Sequence, residues 1–145
     1  MKSVLVLLGC AVTHLALAMI SPSPWWVPDL TLVGLILAVG QAPARWFAFS
    51  VLAGLITAVW AVRFPGQLVA GYLLIGWVSQ LLSRHWDAAD LRIECLSAAA
   101  GSLFLMVGML WLEDLWLLRL LLLTVLRAAV TCGAVPLVHR VASYG

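Results

Sequence analysis

The sequence predicts an all-α, polytopic membrane protein of about six transmembrane helices, with residues 1–145 forming a single integral membrane domain. Three observations lead there. Hydrophobic residues make up 65% of the chain and charged residues only 10%, with a mean hydropathy of +1.12, which excludes an ordinary soluble domain. The apolar residues are gathered into runs, most of them near the ~17 to 25 residues that a helix needs to cross the hydrocarbon core. The breaks between runs collect the turn-forming prolines and most of the charges. There is no linker, low-complexity tract or internal repeat. The net charge of +2 comes from scattered single residues, so the expected partner is the lipid bilayer and not nucleic acid.

The first helix is expected over residues 3–20. Lys2, the apolar run and Ala16-Leu17-Ala18 resemble a secretory signal peptide, and Leu7-Leu8-Gly9-Cys10 resembles a lipoprotein cleavage box. The run before Cys10 is short and more membrane helix follows it, so a retained helix is the reading here. His14 lies on this helix with no second histidine at i+4, a pattern that suits a hydrogen bond to a neighbouring helix better than a haem or chlorin ligand.

Pro24-Trp25-Trp26-Val27-Pro28-Asp29 then breaks the apolar pattern. Tryptophan favours the headgroup boundary, Pro28 sets a turn, and Asp29 can cap the helix that starts at Leu30 and face its positive end. That second helix, residues 29–40, reaches only about 18 Å and is too short to span alone. A dip of the elbow into the bilayer, covered by protein, would place Asp29 below the surface.

Residues 41–45 turn the chain into a third helix over 44–62, on which Gly54 and Ala58 have small-xxx-small spacing. Arg63-Phe64-Pro65-Gly66 reads as a tight turn before a fourth helix over 67–82. Gly66, Gly71 and Gly76 recur every five residues, so they relieve crowding at separate contacts instead of forming one stripe. Residues 83–94 are the only strongly polar stretch and are expected to form the main exposed loop. A fifth helix over 95–112 opens on small residues suited to packing, and a sixth over 115–138 carries Arg119 near its start and Arg127 about 12 Å deeper along the axis. Gly133 and Pro136 are expected to kink its far end.

Six crossings put both termini on one side. Lys2, Arg45, Arg84, Arg92 and Arg140 then share that side against Arg63 and Arg119 on the other, so the positive-inside rule predicts N-in and C-in, with the tryptophan elbow outside. An intramembrane charge such as Arg127 costs several kcal/mol unless it is paired or hydrated. Asp29 is the expected partner of Arg119 or Arg127, with Glu113 and Asp114 at the same outer end, and such a pair locks helices together more readily than it moves a proton. Cys10, Cys95 and Cys132 lie in separate apolar segments without metal or disulfide spacing and read as small buried hydrophobes. No catalytic grouping, phosphate-binding glycine loop or metal-ligand spacing appears, so neither an enzyme nor a cofactor is expected.

Several residues occur in a recognisable order. They are Pro28-Asp29-Leu30-Thr31-Leu32 at the short second helix, Gly54-Leu55 on the third, Pro65-Gly66 before the fourth, Tyr72 to Trp77 along it, a polar loop, and a last helix ending near Pro136-Leu137-Val138. In this order the chain resembles the bacterial rod-shape-determining MreD family. In that family an aspartate commonly follows three positions after the glycine-leucine pair, where this chain has Ala58. The resemblance implies a six-helix fold similar to the substrate-binding components of energy-coupling-factor transporters. It also implies a non-enzymatic scaffold in the bacterial inner membrane that binds the single-pass protein MreC. Through MreC it would act on the glycosyltransferase and transpeptidase that extend side-wall peptidoglycan. Two other readings share the composition: a vitamin-type substrate-binding membrane component, and an accessory subunit of a pigment or redox complex suggested by His14 and the eight tryptophans.

Overall fold

The computed structural model describes residues 2–22, 27–60, 64–85, 90–113 and 118–144. Of these, 93% are helical and none lies in a strand. Six α-helices follow in order: α1 (Lys2–Ile20), α2 (Leu30–Gln41), α3 (Trp46–Trp60) after a 3-10 turn at Pro43–Arg45, α4 (Pro65–His85), α5 (Leu91–Leu112) and α6 (Leu118–Tyr144). All but α2 are long and apolar enough to cross a membrane, α3 together with its 3-10 turn.

The helices form three antiparallel hairpins. Ser3 of α1 hydrogen-bonds Gln41 at the end of α2, while His14 further along α1 meets Leu30 at its start. Gly54 of α3 lies against Val69 of α4, and Ser50 against Gly76. On the third hairpin Glu94 of α5 meets His139 of α6, with Cys95 near Cys132. Within each hairpin packing is extensive, and between hairpins it runs mainly through α2, which touches all five other helices.

This explains the short helix. Residues 30–39 are all buried, so α2 is the axis of the bundle and only its last residues, Gly40 and Gln41, reach the surface. A helix that is apolar all round belongs in a core, and one sheathed by protein need not match the bilayer thickness. Leu32, Leu35, Ala38 and Val39 are completely enclosed, and Phe49, Ala53, Tyr72, Ile75, Ala98, Leu105 and Val135 close around them.

Several boundaries differ from the sequence expectation. α4 begins at Pro65, not at residue 67, because proline at the first helical position loses nothing by lacking an N–H. The left-handed residue of the turn is Phe64, with φ 55°, and its carbonyl accepts from Leu68 N–H at 3.2 Å. Pro65 and Gly66 are therefore the first turn of the helix and not the turn before it. The polar stretch is also shorter than expected, because α4 continues to His85 and α5 starts at Leu91. Asp90 caps α5 by accepting from Arg92 N–H at 3.0 Å, so Arg92 and Glu94 are helical. Glu94 is buried, not in an exposed loop.

α6 stays helical through Gly133 and Pro136 to Tyr144. The proline leaves the carbonyl of Cys132, four residues earlier, without its helical donor, and the Cys95 thiol donates to that oxygen at 3.6 Å. Cys10 packs where Gly34 lets α1 approach α2, and no disulfide joins the three cysteines. The Pro24-Trp25-Trp26 part of the elbow, Arg63 and Asp114 lie outside the described residues.

A Cβ on Gly54 would stand 2.9 Å from the Val69 Cα, backbone that cannot move aside, whereas one on Gly66 would meet nothing within 4 Å. Gly54→Val should therefore destabilise the bundle by about 1–3 kcal/mol through overpacking. Gly66→Ala should be neutral or stabilising by up to about 1 kcal/mol. Unfolding in mild detergent measures both, and equal midpoints for the two variants would contradict the packing described.

Candidate functional site

The polar centre of the bundle is built on Asp29. Val27 is buried, Pro28 half-buried and Asp29 buried with 6% exposure, so the chain is already inside the protein when α2 begins. Asp29 Oδ1 accepts from Leu32 N–H at 3.3 Å and satisfies one of the orphan donors of the first turn. The same oxygen accepts from the Tyr72 hydroxyl at 3.4 Å.

On the other side of the carboxylate, Arg127 Nη2 lies 4.0 Å from Oδ2, at ion-pair distance and beyond a direct hydrogen bond. The backbone is held as well. Asp29 N–H donates to Thr131 Oγ1 at 3.0 Å, and that hydroxyl donates to the Arg127 carbonyl at 2.8 Å. Leu30 N–H is shared between the Pro28 carbonyl at 2.9 Å and His14 Nδ1 at 3.2 Å, and as an acceptor at Nδ1 a neutral His14 carries its ring proton on Nε2. His14 Nδ1 is also 3.8 Å from Asp29 Oδ1.

Four helices thus contribute to one cluster: His14 from α1, Asp29 at the head of α2, Tyr72 from α4, and Arg127 and Thr131 from α6. By helical rise His14, Tyr72, Arg127 and Thr131 lie about 9 to 20 Å inside the ends of their helices nearest the elbow. The cluster is at mid-bundle depth, and α2 runs from there to the opposite end.

Of the residues singled out in the sequence, Arg127 lies beside Asp29, and Arg119 does not. Arg119 is exposed in the first turn of α6, two helical turns nearer the elbow end, where a long basic side chain reaches the headgroups. Glu113 is half-buried at the carboxyl end of α5 and caps it. Gly54 and Gly66 sit on α3 and α4 away from the cluster, the first as a contact and the second facing open space. Tyr72 and Thr131 were not recognised as members, and single hydroxyls on apolar helices give no periodic signal of what they face.

A second polar pair was also missed. His139 Nδ1 lies 2.9 Å from Glu94 Oε2 at the terminal end of the bundle, where α1 begins and α6 ends, and Glu94 is 7% exposed. It borders a pocket of about 220 Å³ with Gln41 and Ser143. Among the described residues no three His, Cys, Asp or Glu side chains are grouped so as to hold a metal ion.

Comparison with known proteins returns nothing. No family model, curated protein or solved structure matches this chain. Its chemistry must therefore be read from the geometry above. The Asp29 carboxylate meets the Tyr72 hydroxyl and the Arg127 guanidinium, and Thr131 bridges the Asp29 N–H and the Arg127 carbonyl, so the cluster fastens helices together.

A double-mutant cycle tests this. Arg127→Met should destabilise the fold by about 3–5 kcal/mol, because it leaves a buried carboxylate uncompensated, while adding Asp29→Asn should recover part of the loss. Tyr72→Phe should cost about 1–2 kcal/mol, and Arg119→Gln should stay within about 0.5 kcal/mol of the parent. Unfolding in detergent reads these variants together with Asp29→Asn alone, and strict additivity of the Asp29 and Arg127 changes would refute the coupling.

Proposed function

We propose that this chain is a non-enzymatic membrane scaffold of the MreD type, which holds the transmembrane helix of an MreC-like single-pass partner. Through that partner it acts on the glycosyltransferase and transpeptidase of side-wall peptidoglycan synthesis and so on cell shape. In this reading the protein is multi-pass in the bacterial inner membrane. The end carrying Lys2, Arg45, Arg84, Arg92 and Arg140 faces the cytoplasm. The fold that goes with it is that of the substrate-binding components of energy-coupling-factor transporters, used here for binding a helix instead of a vitamin.

One observation carries the proposal. α4 and α5 follow each other in the chain but pack only lightly, leaving an apolar cleft of about 330 Å³ bordered by Ala70, Gly71 and Gly108, with Leu74, Phe104 and Trp111 on its rim. A Cβ on Gly108 would meet nothing within 4 Å. Helix association in lipid depends on close packing at small residues, and this cleft supplies them. Exposed Leu74, Trp77 and Val78 on α4, with Phe104 and Leu96 on α5, continue the face along the height of the bundle. The mutual engagement of the central polar groups counts against the vitamin reading, since those groups would have to release one another to hold a ligand.

The test is co-purification with MreC of the same organism, with a photo-crosslinking residue placed at Leu74 or Phe104 and, as controls, at Val59 or Val125 on other exposed faces. MreC should be captured from the first pair only. Gly108→Leu should lower its recovery by about tenfold with the unfolding midpoint unchanged, as expected for filling an interface pocket. Recovery of a monodisperse protein that binds a vitamin tightly and no MreC would overturn the proposal.

A further inference from the structure

A second opening lies on the opposite side of the bundle, between α1 and α6. Leu5, Val6, Gly9 and Thr13 of α1 face Leu137 and Val141 of α6 across an apolar slot of about 520 Å³. Lys2 stands at its mouth at the terminal end. The slot ends at Thr13 and Leu30, directly beside His14 and Asp29, where the central cluster ties α1 and α6 together through the head of α2. From Lys2 to Thr13 the wall is about 16 Å long, which is half of the ~30 Å hydrocarbon core. A slot of that length, closed where the central cluster ties α1 and α6 together, is matched to one leaflet and to an acyl chain.

Ala142 belongs both to this slot and to the pocket beside Glu94 and His139. Beside the Gln41 amide and the His139 ring, that pocket is rich in acceptors. Glu94 presents a carboxylate of which one oxygen is engaged by His139. Ser143 Oγ donates to the Arg140 carbonyl and so keeps its lone pairs for a donor, and the last carbonyls of α2 bring the negative end of its dipole to Gly40 and Gln41. Such a pocket calls for a group with several N–H donors and a positive charge. Lys2, a few residues away at the slot mouth, calls for an anion. A cation site and an anion site at the head of a slot one leaflet deep describe a zwitterion with a tail.

We propose that the slot and pocket together bind one aminophospholipid of the phosphatidylethanolamine class, with an acyl chain between α1 and α6, its phosphate at Lys2 and its primary ammonium on Glu94. The primary ammonium offers three donors, whereas the quaternary ammonium of phosphatidylcholine offers none and phosphatidylglycerol carries no cation. The bound lipid would complete the α1–α6 side of the bundle on the face away from the α4–α5 cleft, so the site stands independently of the partner proposed there.

Native mass spectrometry of the full chain in detergent tests this with three dioleoyl lipids: phosphatidylethanolamine, phosphatidylglycerol and phosphatidylcholine. One phosphatidylethanolamine should be retained, at a concentration about tenfold below that needed for either of the others, as expected for one charge-assisted contact. Glu94→Gln should reduce phosphatidylethanolamine to the phosphatidylcholine level, and Leu137→Trp should obstruct the slot to all three. If Glu94→Gln does not fold, the ranking of the three lipids on the unaltered protein decides. Equal retention of the three, or preference for phosphatidylglycerol, would overturn the proposal. So would capture of MreC by a crosslinker at Leu137.

Discussion

A helix of twelve residues that starts in the middle of a bundle must have its first N–H groups satisfied by something other than water. The rest of the structure depends on that requirement. Asp29 answers it for Leu32, His14 for Leu30, and Thr131 for the N–H of Asp29 itself. The carboxylate that does this is a buried charge and in turn needs Arg127 and the Tyr72 hydroxyl around it. Each solution pulls in a side chain from a different helix. The constraint at the head of α2 therefore fixes the positions of α1, α4 and α6 relative to the bundle axis.

The division of packing follows from this. Inside the hairpins close contact is set by small residues, with Gly54 against Val69 and Gly34 against Cys10 and Leu7. Between hairpins the helices lean on α2 more than on one another. A central helix that carries the core leaves its surrounding helices free of the need to seal every seam. Two seams stay open on different sides, one rimmed by glycine, alanine and aromatic residues between α4 and α5, the other blind at mid-depth between α1 and α6. The first is lined by small and aromatic residues, and the second is apolar with Lys2 at one end.

Much of the candidate site was legible before any coordinates. Pro28-Asp29 before an apolar run marked a capped helix start, the length of that run marked a helix that could not span, and Arg127 stood out as a charge at depth. The two arginines of α6 looked equivalent as partners for Asp29 because one-dimensional spacing gives distance along a helix and not the depth at which another chain segment enters. The expectation that residues 83–94 formed a loop failed at Glu94, since a polar residue in the first turn of a helix reads like a loop residue until its buried partner, His139, is known. The thiol that occupies the Cys132 carbonyl freed by Pro136 likewise lies 37 residues from it in sequence.

The sequence by itself determined the class of protein, the number of helices and the presence of one short apolar helix headed by an acid, because hydropathy, helix length and capping are local properties. Only the tertiary structure decided that this short helix is the axis of the bundle. Enclosure by five neighbours is a cooperative, long-range fact: it depends on which faces are covered, and apolar residues look alike in sequence whether they face lipid or protein. The same holds for Asp29. Its role as a cap is written in its own neighbourhood, but the tyrosine, threonine, histidine and arginine around it are brought there by helices that the chain reaches in separate passes through the bundle.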